Sequence, residues 1–108
     1  MELTIETVQD EAGYLVILSG EVDAFTGQKV KEALLSLAEK PEARRIAVDL
    51  KKVAYMDSTG IGIFVAVMKA CKKADSQLLV QNISPRVDRL FRLTGFYDVL
   101  AARKGESK

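Results

Sequence analysis

Leu3, Ile5 and Thr7 alternate with Thr4 and Glu6 at the start of the chain, a period of two that predicts a half-exposed strand. The polar stretch Gln9-Asp10-Glu11-Ala12 closes on Gly13 and reads as a hairpin connection. Tyr14 to Leu18 is apolar without interruption and stops at Ser19-Gly20, which predicts a strand buried on both faces. Glu21 to Gly27 reads as a loop. The period then changes. Val30, Ala33, Leu34, Leu37 and Ala38 fall at helical spacing, with Lys29, Lys31, Glu32 and Glu39 on the other side, as in an amphipathic helix facing a core. Thr26 or Asp23 is placed to cap that helix, and Pro41 to end it.

Ile46 to Leu50 predicts another short strand, and residues 51–57 a loop carrying Val53, Tyr55 and Met56. Ile61 to Ala74 reads as a second helix, apolar on nearly every face until Met68, so other elements must cover it. Lys69, Lys72 and Lys73 form a solvated face near its C-terminus, where the helix dipole favours positive charge. Leu78-Leu79-Val80 predicts a buried strand. Ser84-Pro85 opens a third helix with a capping hydroxyl and a proline at the first helical position; Val87, Leu90 and Phe91 lie on its apolar side, and Gly95 is its C-terminal cap. Phe96 to Leu100 suits a last short strand or a packed tail, and Ala101 to Lys108 a frayed end. The alternation of strand and helix after the first hairpin implies an α/β domain over residues 1–100, with a largely parallel sheet and one added antiparallel strand.

Charge narrows the partners. Sixteen basic and fifteen acidic residues leave a net charge of +1. That gives no excess to neutralise phosphates, so nucleic acid is not expected, and no polybasic segment invites a membrane surface. The longest apolar run, Ile61 to Met68, is too short to span a bilayer, and the N-terminus lacks the pattern of a signal peptide. Histidine is absent, which removes the usual neutral-pH base and the commonest metal ligand. The one cysteine, Cys71, cannot form an intrachain disulfide and suits a small core site. The expectation is a cytoplasmic protein with no metal or other cofactor of its own.

Two segments carry candidate chemistry. In Tyr55-Met56-Asp57-Ser58-Thr59-Gly60-Ile61-Gly62, Asp57 or Ser58 can cap the second helix, and Gly60 and Gly62 can allow close packing against the sheet. The same geometry leaves a hydroxyl at a helix N-terminus, where added negative charge is favoured. The two glycines would keep the surface low, so that another protein's active site could reach it. Phosphorylation there would add about −1.5 to −2 charges and reverse the sign of the domain. Enzyme motifs fail: there is no G-x-S-x-G elbow and no histidine for it, no second aspartate motif, no P-loop, and no third glycine for a dinucleotide fingerprint. In Ser19-Gly20-Glu21-Val22-Asp23-Ala24-Phe25-Thr26, Glu21 and Asp23 are either solvated turn residues or acidic contacts for a basic partner. Both loops follow strands, which places them at one sheet edge with Ser58. Tyr14 and Tyr55 read as packing residues.

Together, Gly20-Glu21-Val22-Asp23, Val48-Asp49-Leu50, Met56-Asp57-Ser58-Thr59-Gly60-Ile61-Gly62 and Phe91-x-x-x-Gly95-Phe96 resemble the anti-sigma factor antagonist family of STAS domains, over about Leu3 to Leu100. The resemblance implies the STAS (SpoIIAA-like) fold, a mixed four- to five-stranded sheet with helices mostly on one face. It implies Ser58 as the phosphoacceptor of an anti-sigma factor serine kinase, which the unphosphorylated antagonist binds to release a sigma factor. A metal-dependent serine phosphatase would reset the switch, with ATP and magnesium belonging to the kinase. Partner-binding residues on this reading are Glu21, Asp23, Thr26, Met56, Asp57, Thr59, Gly60 and Ile61. Thr59 stays open as a second acceptor. The alternative is a non-phosphorylated STAS subunit that binds a transporter ATPase.

Overall fold

The computed structural model describes residues 2–100, and the expectation of a frayed end at 101–108 lies outside them. The elements run β1 (Leu3–Asp10), β2 (Gly13–Val22), α1 (Gly27–Ala38), β3 (Arg45–Met56), α2 (Ser58–Lys73), β4 (Gln77–Gln81) and α3 (Pro85–Thr94). A short helical stretch follows at 96–100. The strands form one sheet in chain order. β1 is antiparallel to β2, while β2, β3 and β4 are parallel. The Asp10 side chain shapes the hairpin between β1 and β2: its Oδ1 accepts from the backbone N–H of Ala12 (2.9 Å) and Gly13 (2.8 Å).

One core holds the molecule. Tyr14, Val16 and Leu18 of β2 and Ile46, Val48 and Leu50 of β3 meet Val30 and Leu34 of α1, Phe64 and Val67 of α2, and Phe91 of α3. Leu15 and Ile17, on the opposite side of β2, are only half-buried. The strand expected to be buried on both faces is therefore buried on one. Leu15 is flanked in register by Val8 and Ala47, so its apolar character reflects cross-strand packing and not a second layer of helices. α2 likewise buries one side, through Ile63, Phe64, Val67, Met68 and Cys71. Among the described residues no helix is long and apolar enough to cross a membrane.

Two expectations fail at element ends. β3 continues through the stretch read as a loop, and its register against β2 shifts twice along the way, between Ile17 and Ser19 and again between Gly20 and Glu21. Such irregularities break the alternation of side chains. From Leu50 on, the buried positions are Leu50, Val53 and Met56, three apart, and Tyr55 is 38% exposed rather than packed. At the other end, residues 96–100 are helical, not a strand. Gly95 takes the left-handed conformation (φ 73°) that ends α3 and turns Phe96 into the core. There the Phe96 ring lies 4.9 Å from that of Phe91 and 6.2 Å from that of Phe64. The Tyr97 hydroxyl donates to Asp88 Oδ1 (2.6 Å), and Arg92 Nε donates to Asp88 Oδ2 (2.9 Å). These bonds, the Tyr97 hydroxyl first, hold the Asp88 carboxyl below its ordinary pKa. Ser84 occupies the N-cap position of α3, but its hydroxyl donates to the carbonyl of Val53 (2.9 Å), tying α3 to β3 instead of capping the helix.

Candidate functional site

β2 and β3 end side by side, Glu21 opposite Tyr55 and Val22 opposite Met56. The chain leaving each strand therefore emerges at one sheet edge, as the two sequence segments require. The backbone N–H of Asp57 donates to the Val22 carbonyl (3.3 Å), which pins the β3–α2 turn against the end of β2. Asp57 is extended (φ −111°, ψ −171°), and its Oδ1 accepts from the Thr59 N–H (2.9 Å). This is a side-chain N-cap, which satisfies one of the free donors of the first turn. Ser58 is the first helical residue and is exposed. Among the described residues its hydroxyl has no hydrogen-bond partner. Thr59 is exposed as well, but its methyl is turned toward α1, where a Cβ on Gly27 would lie 3.2 Å away.

The β2–α1 loop is organised from within. Asp23 Oδ1 accepts from the N–H of Phe25 (2.9 Å) and of Thr26 (3.0 Å). The Thr26 hydroxyl donates to the Glu21 carbonyl (2.7 Å) and accepts from the Asp23 N–H (3.0 Å). Thr26 stands at the N-cap position of α1 yet makes no capping bond, because its hydroxyl is engaged in the loop. The N–H of Thr26 holds the Asp23 carboxyl below its ordinary pKa; burial opposes this, and the Phe25 N–H and Thr26 hydroxyl add to it. A carboxylate that accepts several hydrogen bonds is stabilised in its charged form. The loop fixed this way carries the Phe25 side chain outward, 93% exposed.

Between the N-terminal turns of α1 and α2 lies a groove of about 290 Å³, lined by Ala24, Gly27, Gln28, Lys31, Thr59, Gly62 and Ile63. Thr59 is shared between this groove and the Ser58 turn. Among the described residues no group of three or more histidine, cysteine or acidic side chains could hold a metal ion.

The sequence-derived site residues divide by depth. Ser58 and Thr59 are exposed, and Glu21, Asp23, Asp57 and Ile61 are half-buried. Met56 (4%) and Thr26 (8%) are buried, as is Gly60. These three cannot present a surface to a partner and instead support the site from beneath. A Cβ at Gly60 would stand 2.5 Å from Met56 Cγ and 2.7 Å from its Sδ, so Gly60 is glycine for close packing. Of the two glycines read as keeping the surface low, only Gly62 is exposed. The sequence could have separated them, since residues two apart on a helix point about 200° from each other. Phe25 was not singled out as a site residue, and no sequence signal marks an aromatic side chain as outward-facing.

Residues 4–107 match the STAS domain. The anti-sigma-B factor antagonist of Staphylococcus aureus (strain NCTC 8325 / PS 47) is 38% identical over 105 residues, spanning 97% of this chain and 96% of that one. The chain belongs to the STAS family, among its anti-sigma factor antagonists. The STAS fold is also shared with SpoIIAA in its unphosphorylated form (TM-score 0.74, 20% identity, 87% of this chain and 81% of that one). The phosphorylated form of the Bacillus cell fate determinant SpoIIAA is similar too (TM-score 0.68, 19% identity, 87% and 84%). In this STAS domain the Ser58 turn, the Asp23 loop and the groove make one continuous surface at the carboxyl ends of the parallel strands.

Proposed function

We propose that this STAS domain is a cytoplasmic anti-sigma factor antagonist whose unphosphorylated form binds an anti-sigma factor serine kinase and frees the sigma factor. The kinase inactivates it by phosphorylating Ser58, and a metal-dependent serine phosphatase restores it. The observation that carries this reading is the Ser58 hydroxyl: exposed, without a hydrogen-bond partner among the described residues, and held at the mouth of α2 by a backbone pinned on both sides. Serine fits the acceptor better than Thr59, whose methyl is directed at α1.

The electrostatics support an on/off contact. A phosphate on Ser58 would gain from the N-terminus of α2, but its sequence neighbour is the Asp57 carboxylate. Among the described residues, Lys31 is the only ionisable group lining the nearby groove. A docked partner would have to desolvate a dianion with little compensation, at a cost of several kcal/mol. A loss of about 3–4 kcal/mol already weakens binding more than a hundredfold.

The test combines intact mass spectrometry with affinity measurement, using the chain, the anti-sigma factor kinase of its own organism, and ATP. Wild type should gain one phosphate and Ser58→Ala none. Ser58→Ala should keep wild-type affinity, while phosphorylated wild type and Ser58→Asp should lose at least a hundredfold. Equal affinity of the phosphorylated and unmodified proteins would overturn the mechanism. An unmodified Ser58 together with specific capture of a transporter ATPase would replace the reading altogether.

A further inference from the structure

Gly62 has no structural reason to be glycine. It lies inside α2, is exposed, and a Cβ built on it meets nothing within 4 Å among the described residues. Its backbone is not left-handed, since the positive-φ glycines are Gly13, Gly20 and Gly95. Glycine within a helix is less stable than alanine, so the fold alone would be served better by a side chain. Gly60, two residues earlier, is the contrasting case, because a side chain there would strike Met56 and Val22.

What distinguishes Gly62 is its place relative to Ser58. The two are four residues apart, so they share one face of α2, separated by about 6 Å along the axis. Side chains on a helix lean toward its N-terminus and cover the turn before their own Cα. Any side chain at position 62 would therefore lean over the turn that carries the Ser58 hydroxyl. It would also stand in the groove that Gly62 lines with Thr59 and Ile63. A standard protein interface covers about 800 Å² per partner, a disc of roughly 16 Å radius. A kinase centred on Ser58 covers Gly62 by a wide margin.

We propose that Gly62 is an access residue. Its missing side chain lets the kinase that modifies Ser58 lay the wall of its active site directly on the α2 backbone and into the groove, with hydrogen-bond acceptors turned to Lys31. This inference rests on the kinase reading above and adds the residue that admits the enzyme to its substrate hydroxyl. It sets stability and recognition in opposition at a single position.

The experiment uses the full chain with the same kinase and ATP, and compares wild type, Gly62→Ala and Gly62→Leu by thermal denaturation, affinity and initial phosphorylation rate. Gly62→Ala should raise Tm by roughly 4–8 °C while lowering kinase affinity and the rate of Ser58 phosphorylation about tenfold. Gly62→Leu should fold and lose at least a hundredfold in both. If both variants are bound and phosphorylated like wild type, the access role is wrong while the Ser58 switch stands. A lower Tm for Gly62→Ala would likewise overturn it, by revealing that the fold requires the glycine. A wild-type chain that never acquires phosphate removes the kinase reading, and the access role with it.

Discussion

The start of α2 and the aromatic corner that its Phe64 enters are built on opposite logics. Near the middle of α2, Phe64 packs edge-on to Phe91 (6.4 Å) and stacks on Phe96 (6.2 Å), and all three rings are buried. Nearby polar groups are paired among themselves, Tyr97 and Arg92 both on Asp88. At the start of the helix, the backbone is just as firmly tied, but the side chains of Ser58 and, on the neighbouring β2–α1 loop, Phe25 stand in solvent with no hydrogen bond or ring contact among the described residues. Rigidity is thus common to both regions, and what differs is which side chains it serves. In the aromatic corner the fixed backbone buries side chains, and at the sheet edge it displays them.

The largest way to test that contrast is within the aromatic corner. Phe64→Ala should cost about 3–5 kcal/mol, a large share of the 5–15 kcal/mol typical of a domain. A urea melt should show the midpoint collapse or the chain fail to fold. A weaker but more telling probe lies at the displayed end. Phe25→Ala removes an exposed side chain, so stability should stay within about 0.5 kcal/mol of wild type. Kinase affinity should fall by about 2 kcal/mol, roughly thirtyfold, as for an aromatic anchor in an interface. Unchanged affinity by calorimetry would mean that the exposed ring is idle. The smallest effect concerns pH. Asp23 has a folded pKa below its unfolded one, so its contribution to stability is present above the unfolded value, about 3.9, and is lost as pH falls through the folded value. The Tm difference between wild type and Asp23→Asn should therefore be constant near neutrality and shrink below about pH 4.

Much of this was readable from spacing. Val30, Leu34 and Leu37 announced α1, and all three are buried. Asp57 or Ser58 could be read as the cap of α2, and the Asp57 carboxylate is the one that makes that bond. The second half of β3 was not readable, because strand recognition relies on a period of two, and the shifted register against β2 leaves a period of three at Leu50, Val53 and Met56. The site residues were found as a stretch of chain but not by depth. Asp57, Ser58 and Thr59 reach the surface while Met56 and Gly60 lie below it, a division set by the helix wheel and by how closely α2 approaches β3. Thr26 and Ser84 were misread for one reason: each hydroxyl was assigned to the nearest helix start, and each instead found a backbone carbonyl, of Glu21 and Val53 respectively. For Ser84 that carbonyl is 31 residues away, a tertiary fact that local pattern does not contain, whereas for Thr26 it is five residues away within the same loop.

β3 passes into α2 through the single residue Asp57, and that brevity has a consequence for how information would travel. With no hinge between the central sheet and Ser58, a phosphate placed there would have no joint to move. The domain would then work as a token that carries one bit, written by one enzyme and erased by another. Its lifetime would be set by the turnover of those two enzymes and not by any conformational relaxation of the domain.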